Sequence, residues 1–353
     1  MQLQRYLNHS TIDVHFKQTK DDFVVTEDPL YEFSNEGEHL ILKLRKKDLA
    51  TWDAIEILAK YLNCSTREFG YAGLKDKNAL TIQYMSVHRK YEESLKEFTH
   101  ENIKILETVY HNNKIKIGHL KGNNFFIRLK RVGLVEKRKI EEALGKIATL
   151  GIPNYFGFQR FGIDGDNYKK GKEICEGTLK ERNRNLKQMY INAYQSYLFN
   201  NWLSKRIEIS KLIEAFEPKE IYEKLQLPLE EVKKMKKQKH PFKVLTGDVL
   251  SHYPYGKIFT IEDLEEESEK FFLHDRVPTG LLCGKKVKRA VDLAYAIEKD
   301  YEANTGEDGA RRFAWIFPEN VQSNYKEDKN WIELQFFLPK GSYATEVIAE
   351  IMH

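Results

Sequence analysis

The segment whose residues are best suited to carry out a reaction is Gly73-Leu74-Lys75-Asp76-Lys77. It places one carboxylate between two lysines, whose positive charges favour the ionised form of the acid. Glycines at positions 70 and 73 allow a ligand to approach the backbone closely. An ionised carboxylate on such a loop can act as a nucleophile or as a general base. The same spacing is also typical of an exposed turn with a solvated aspartate, so both interpretations stay open at this point.

No cofactor or metal motif accompanies this loop. The phosphate-binding pattern G-x-x-x-x-G-K-[ST] is absent, and the eleven histidines form neither an H-E-x-x-H pair nor a close cluster. The segment 162–167 lacks the ligand order and closing glutamate of an EF-hand, so a plain turn is expected there. We therefore expect chemistry that side chains carry out alone, without a cofactor and without a metal.

Length and composition are those of a globular protein. The 353 residues suffice for two domains, and 41% hydrophobic with 31% charged residues excludes a disordered chain. No stretch approaches the roughly 20 apolar residues of a membrane span, and the first residues have no apolar signal core. Three distant cysteines form neither a metal motif nor a disulfide framework. We expect a monomeric cytoplasmic protein without a membrane partner.

The charge is distributed in local runs, although the net charge is only +4. A single basic run is typical of a solvated helix face. Several runs within one region also suggest a surface for phosphates, as nucleic acids require. The runs are Lys169-Lys170 with Lys172, 180–187, 233–239, and Lys285-Lys286 with Lys288-Arg289.

The elements that must position the loop can be predicted from periodicity. Residues 22–27 and 38–45 alternate as strands, and residues 79–87 follow the loop as a third. Between them, Thr51 is predicted as the N-cap of an amphipathic helix. A fourth strand covers 124–132, with Phe125, Ile127 and Leu129 on one face.

The later chain changes character. An amphipathic helix around 140–147 ends at Gly151-Ile152-Pro153, and residues 169–240 are predicted to be largely helical, with a charged helical hairpin near 225–239. Strand alternation returns in 331–338, before a short C-terminal helix. Because this late strand needs partners, we expect it to join the early sheet, which indicates one domain inserted into another.

Seven segments together make the sequence recognisable. Residues 72–83 resemble the catalytic motif of the TruD family of tRNA pseudouridine synthases. Six more segments resemble the same family in the family's order, and the matches extend from residue 17 to residue 345. These six are 22–27, 37–39, 119–125, 153–162, 195–200 and 338–345.

The resemblance implies a fold and a domain arrangement. We expect an α+β fold in which residues 1–150 and 318–353 form a pseudouridine-synthase catalytic domain around a mixed, mainly antiparallel sheet. Residues 151–317 would form the inserted α/β domain specific to this family, and RNA would bind between the two. The segment 154–162 is expected at the domain junction, with some contact to the site.

The resemblance also implies roles for individual residues. Asp76 corresponds to the catalytic aspartate, and Lys17, six residues before Phe23, to the active-site lysine. Phe125 corresponds to the aromatic residue that stacks on the target base, and Asn123 to a residue that holds the aspartate loop. Without the resemblance, Lys17 would be a surface lysine, Phe125 a core residue and Asn123 a turn residue.

The implied activity is the isomerisation of uridine to pseudouridine in tRNA, at position 13, without a cofactor. The alternative is a protein of another class, namely an RNA-binding protein or tRNA-folding chaperone without catalysis. The presence of Asp76, Lys17 and Phe125 together argues against this alternative.

Overall fold

The computed structural model describes residues 3–16, 19–75, 77 and 79–353. Over these ranges the strands, numbered in chain order, are β1 (His15–Phe16), β2 (Phe23–Pro29), β3 (His39–Lys47), β4 (Gly70–Tyr71), β5 (Leu80–His88), β6 (Ile103–His111), β7 (Leu120–Lys130), β8 (Ile152–Pro153), β9 (Val249–His252), β10 (Ile258–Thr260), β11 (Arg276–Leu282), β12 (Ala310–Phe313), β13 (Trp315–Ile316), β14 (Glu319–Lys326) and β15 (Trp331–Pro339). The helices are α1 (Thr51–Tyr61), α2 (Glu92–Lys96), α3 (Leu134–Leu150), α4 (Asn167–Glu176), α5 (Arg184–Ala215), α6 (Pro218–Leu225), α7 (Leu229–Lys237), α8 (Leu264–Phe272), α9 (Asp292–Glu298) and α10 (Ala344–Met352).

The chain forms two compact units, each assembled from separate segments. The sheet unit comprises Ile12–Glu142 and Pro318–Gly341, and the helical unit comprises Met1–Thr11, Ala143–Phe317 and Ser342–His353. The predicted domains differ in that they place both chain ends with the sheet, as 1–150 and 318–353 against 151–317. The functional domain boundaries therefore stay a prediction.

The sheet unit contains a mixed, mainly antiparallel sheet. Among the described residues nine strands join it, in the order β14-β15-β7-β2-β5-β3-β6, with β1 beside β7 and β4 beside β5. Only the β2–β5 pairing is parallel among these strand pairs. β15 pairs with β7 from Trp331 opposite Lys130 to Pro339 opposite Gly122. This confirms both the α+β class and the prediction that the late strand joins the early sheet.

Half of one sheet face is an apolar core. Leu40, Leu42 and Leu44 alternate inward on β3, and each is at most 1% exposed. The inward face of α1, including Ala54, Ile55 and Leu58, belongs to the same cluster. An apolar face on a strand and a matching stripe on a helix bury each other, and this packing fixes α1 on the sheet.

The start of α1 differs from the prediction. The N-cap is Ala50, and Thr51 is the first helical residue. Asp53 takes over the capping role, because its carboxylate accepts a hydrogen bond from the Ala50 backbone N–H at 2.8 Å. The Thr51 hydroxyl is instead used in contacts outside the helix, which a local capping pattern does not reveal.

The helical unit is organised around the long helix α5. A four-stranded sheet in the order β10-β9-β11-β12 and the β8–β13 pair accompany the helix within this unit. Helices α6 and α7 form a charged helical hairpin that begins earlier than predicted, because only α7 lies within 225–239 and α6 ends where this range begins. Their buried side chains Ile221, Val232 and Met235 join Ile209 and Ile213 of α5 in one apolar cluster, so only the outer face of the hairpin carries its charges.

In the helical unit, two carboxylates of α10 hold the N-terminal segment against the C-terminal helix. Glu350 of α10 is 1% exposed and accepts hydrogen bonds from the backbone N–H groups of Tyr6 at 2.7 Å and Leu7 at 2.8 Å. Arg5 also pairs with Glu346 at 2.9 Å. These contacts explain why the N-terminal segment groups with α10.

Two further features bear on the predictions from composition. In the described ranges, no helix has both the length and the apolar character needed to cross a membrane. All three cysteines are free thiols; Cys283 is buried, and Cys64 and Cys175 are partly exposed.

A buried neutral histidine lies in the core of the helical unit. His240 is 1% exposed and contacts the rings of Phe271 and Trp315. Its Nε2 lies 2.9 Å from the Leu150 carbonyl oxygen, and its Nδ1 accepts from the Phe242 N–H at 3.1 Å. This pattern suits the neutral ring with its proton on Nε2. Burial lowers the pKa of His240 from 6.5 to about 3.

We expect this histidine to make the protein acid-sensitive. Above pH 6.5 the ring is neutral in both the folded and unfolded states and contributes no pH dependence. Below pH 6.5 the unfolded chain binds a proton that the folded state excludes down to about pH 3, so the free energy of unfolding falls by up to ~1.4 kcal/mol per pH unit. Urea unfolding between pH 7.5 and 5 measures this slope. His240→Gln should be less stable but show a shallower slope, whereas exposed His252→Gln should keep the wild-type slope; equal slopes for all three proteins would contradict the assignment.

Candidate active site

The sheet face that carries the core becomes polar near the 72–79 loop. On β3 the inward alternation of leucines ends at Lys46, which is 1% exposed. Lys46 lies opposite Thr81 of β5, and Thr81 lies beside Val25 of β2. Val25 in turn lies opposite Phe125 of β7. Residues that face each other in neighbouring strands project to the same side, so these residues form one row across the sheet.

A second row lies next to the first. Leu44 is opposite Gln83, and Glu27 is opposite Asn123. Asn123 is also opposite Leu338 of β15. Gln83 and Glu27 are 0% and 3% exposed, so polar side chains occupy positions where a sheet of this type normally buries apolar ones. Such groups are costly to bury and concentrate where chemistry is performed.

In the loop between β4 and β5 an apolar side chain is exposed and the charged side chain next to it is buried, which is the reverse of the usual arrangement. Leu74 is 64% exposed, whereas the neighbouring Lys75 is 9% exposed. Lys77 is exposed. Of the two lysines that flank position 76 in the sequence, only Lys75 therefore enters the protein interior.

Lys75 is held at three of its atoms. Its backbone N–H donates to the Thr51 hydroxyl at 2.9 Å, and its carbonyl oxygen accepts from the Lys46 ammonium at 3.5 Å. Its own ammonium lies 3.3 Å from Oε2 of Glu27. The Thr51 hydroxyl also donates to Oε1 of Gln83 at 3.1 Å. The loop is thus tied to β2, β3, β5 and α1.

The charges around Lys75 are desolvated. The side chains of Lys75 and Glu27 are 6% and 1% exposed. Burial raises the pKa of Glu27, and the Lys75 ammonium acts in the opposite direction. An ammonium 3.3 Å from a carboxylate has the geometry of an ion pair, and this pair lies inside the fold.

The predicted residues Asn123 and Phe125 share the polar face. They are two positions apart on β7 and project to the same side. Phe125 is 8% exposed, with ring centroids 6.1 Å from Phe23 and 5.7 Å from Phe336. Oδ1 of Asn123 is buried and has no hydrogen-bond partner among the described residues. The aromatic cluster therefore borders a polar group that is available to a ligand or to the loop.

The other two predicted residues, Asp76 and Lys17, lie outside the described residues. Asp76 is bonded directly to Lys75, and Lys17 follows β1, which pairs with Lys130 and Leu129 of β7.

Three further residues belong to this site but were not predicted for it. Glu27 was recognised as the end of a strand and as part of the family-like segment 22–27, without a role in the site, and Thr51 only as a helix cap. A signal for Lys46 was present, because the alternation of Leu40, Leu42 and Leu44 continues to this position and predicts an inward lysine. Within the described ranges, no group of three or more histidine, cysteine or acidic residues is placed to hold a metal ion.

Comparison with known proteins places this chain in a family. The family model of tRNA pseudouridine synthase D (TruD) matches residues 2–182 and 166–351. A protein named tRNA pseudouridine synthase D from Sulfurimonas denitrificans is 54% identical to this chain, over 98% of this chain and 97% of that protein. A protein of the same name from a Nitratiruptor species is 56% identical, over 99% of this chain and 97% of that protein. The protein of that name from Helicobacter pylori strain J99 is 48% identical, over 100% of this chain and 96% of that protein.

A solved structure shows the same fold. A crystal structure described as a putative tRNA pseudouridine synthase D of Methanosarcina mazei superposes with a TM-score of 0.65 and covers 99% of this chain and 95% of its own, at 22% identity. The family model and the relatives span nearly the whole chain, including the loop beside Lys75. The chain belongs to the tRNA pseudouridine synthase D family.

Proposed function

We propose that this protein isomerises uridine to pseudouridine at position 13 of tRNA, as a cytoplasmic monomer, with Asp76 as the catalytic carboxylate. The observation that carries the activity is the match of the family model over residues 2–182 and 166–351. The choice of residue is supported by the surroundings of the preceding Lys75, which are buried, polar and connected to four elements of the sheet unit.

The reaction requires only acid–base or nucleophilic chemistry. The bond between uracil N1 and ribose C1′ breaks, the base rotates, and C5 bonds to C1′. The proton on C5 is lost and N1 gains one, so atoms and electrons balance within the nucleotide and no cofactor is required. The Asp76 carboxylate would either attack C1′ or remove the proton on C2′ to form a glycal; both routes need the ionised acid.

The other predicted residues would assist this carboxylate. Lys17 would pair with Asp76 and favour its ionised form. Asn123 would hold the loop, for which its buried Oδ1 is available. Phe125 would stack on a uracil that leaves its own stack at a cost of a few kcal/mol. Stacking on an aromatic ring can return roughly 1–3 kcal/mol of this cost.

A surface for the tRNA phosphates is suggested by the differing environments of the basic runs. In the 233–239 run, Lys233 pairs with Glu230 at 2.7 Å and Lys234 with Glu231 at 3.0 Å. In the 180–187 run, Lys180, Arg182 and Arg184 are at least partly exposed, and none forms an ion pair within the described part of the chain.

The position of the unpaired run adds to this argument. Asn183 caps α5 and Arg184 is its first residue, so these cations lie where the positive end of the helix dipole disfavours them. Exposed cations that gain nothing from their own fold suit a partner with phosphates.

We expect the two runs to differ in tRNA binding. Lys180→Gln/Arg182→Gln/Arg184→Gln should weaken binding and reduce the dependence of log Kd on log salt by about 0.7 for each phosphate that is no longer bound. Lys233→Gln/Lys234→Gln/Lys236→Gln removes the same charge and should leave the slope unchanged, because these lysines are already paired. Binding curves at several salt concentrations test this, and equal slopes for both triple variants would contradict it.

Phe125 provides a test of base stacking. Phe125→Ala should slow single-turnover pseudouridine formation more than it weakens tRNA binding, since phosphate contacts elsewhere persist. Phe125→Tyr, which keeps the ring, should retain most activity, and Phe125→Leu separates ring stacking from simple filling of the core. Because Phe125 is 8% exposed, a thermal melt of each variant is needed. Wild-type turnover in a folded Phe125→Leu protein would show that the ring is not required.

The central test is Asp76→Asn. The amide can neither attack C1′ nor take the proton from C2′, so both routes fail and we expect turnover to fall at least about 10⁴-fold. Binding should survive because it rests mostly on phosphate contacts. The measurement is single-turnover conversion of a tRNA transcript at saturating enzyme, with pseudouridine located by mass spectrometry.

The Asp76→Asn test distinguishes loss of catalysis from loss of folding or binding. The Asp76→Asn protein must be checked for hydrolysis of its new amide back to the acid, and it needs a thermal melt and a binding curve. Substantial turnover by intact Asp76→Asn protein would refute the catalytic role. Wild-type protein that binds tRNA and forms no pseudouridine would instead favour the RNA-binding or chaperone alternative.

A further inference from the structure

Three elements converge on one residue of the loop. Thr51, the first residue of α1, binds the backbone N–H of Lys75, and Lys46 of β3 approaches its carbonyl oxygen. Glu27 of β2 binds its ammonium. The contacts therefore reach the peptide group before Lys75, the peptide group after it, and the end of its side chain. A residue held at all three places has little freedom to shift or rotate.

Stability is a poor explanation for this arrangement. An apolar residue at position 75 would bury more favourably, and the adjacent Leu74 is left 64% exposed. A buried ion pair usually stabilises a fold no better than apolar side chains of the same size. Its better-attested use is to select one arrangement among several, because a charged group tolerates few partners.

We propose that Thr51, Lys46 and Glu27 are positioning residues that fix Lys75, and through it the backbone that carries the carboxylate at position 76. This inference rests on the proposed function of Asp76. The Lys75 carbonyl carbon is bonded to the nitrogen of residue 76, so the contact with Lys46 acts on the peptide group shared by both residues. A catalytic group displaced by about 1 Å can lose on the order of 10²-fold in rate.

Thr51 is the most informative member of the set. Its hydroxyl accepts from the Lys75 N–H and donates to Gln83 of β5. One oxygen therefore connects the loop to the strand that follows it. Its position within α1 is secured by the apolar face of that helix, so removing the hydroxyl should leave the helix in place.

The first experiment compares Thr51→Val with Thr51→Ser. Valine has the same shape without the hydroxyl, and we expect single-turnover pseudouridine formation to slow roughly 10- to 100-fold at saturating enzyme, while the Kd for tRNA changes less than about twofold. Serine keeps the hydroxyl and should restore the rate to within about threefold of wild type.

The matched control is Thr305→Val. The Thr305 hydroxyl also accepts from a backbone N–H, that of Glu307 at 3.4 Å, and donates to the Cys283 carbonyl at 3.0 Å, within the helical unit. Its loss should lower the melting temperature as Thr51→Val does but leave turnover unchanged. Turnover by folded Thr51→Val at the wild-type rate, or an equal rate loss in Thr305→Val, would overturn the proposal.

A second experiment separates positioning from stability at the ion pair. Lys75→Met leaves Glu27 buried without its cation and should lower the melting temperature. Lys75→Met/Glu27→Gln removes the unpaired charge and should recover most of that temperature. If the pair positions the loop, the double variant stays at least about tenfold slower than wild type; if the rate returns with stability, the pair is only structural. Wild-type protein is assayed in parallel, because its failure to form pseudouridine would count against the proposed function, not against the positioning of the loop.

Discussion

The parallel pairing of β2 with β5 is the constraint on which the site depends. Val24 lies beside Leu80 and Val25 beside Thr81, so the two strands begin at the same edge of the sheet. Parallel neighbours cannot be joined by a tight turn, and the chain must leave the sheet and return. Here the connection contains β3, α1, β4 and the 72–79 loop. The loop therefore reaches the sheet beside the central strand, where the ammonium of Lys75 lies 3.3 Å from the Glu27 carboxylate.

The same sheet face serves two purposes that make opposite demands. Toward β6 it is a dry core in which Leu40, Leu42 and Leu44 pack on α1. Near the 72–79 loop it holds Lys46, Thr81, Gln83 and Glu27 with almost no exposed surface. The apolar part of the face supplies stability that the polar part does not. Helix α1 contacts both parts, because its buried apolar side chains pack in the core and its first residue, Thr51, binds the loop.

Periodicity predicted the elements well because it reports which face is buried. The alternation in 331–338 predicted β15, and the need of that strand for partners predicted its place beside β7. Local patterns failed where tertiary contacts compete with them. Thr51 has the side chain of an N-cap, but its hydroxyl is engaged by Lys75 and Gln83. The burial of Lys75 beside exposed Leu74 could not be predicted, because it depends on a glutamate 48 positions earlier in the chain. The roles assigned to Asp76 and Lys17 derive from family resemblance, which no spacing supplies.

The separation of β7 from β15 along the chain also has a consequence for synthesis on the ribosome. β7 ends at Lys130, whereas its neighbour β15 begins only at Trp331, after the long segment of the helical unit. At about 5–20 residues per second, roughly 10–40 s pass before this strand can emerge. During that time the hydrogen-bonding edge of β7 and the apolar side chains of Phe125 and Ile127 lack their final cover, and open edges of this kind invite pairing with other chains. The nascent protein is therefore open to misassociation until its last strands leave the ribosome.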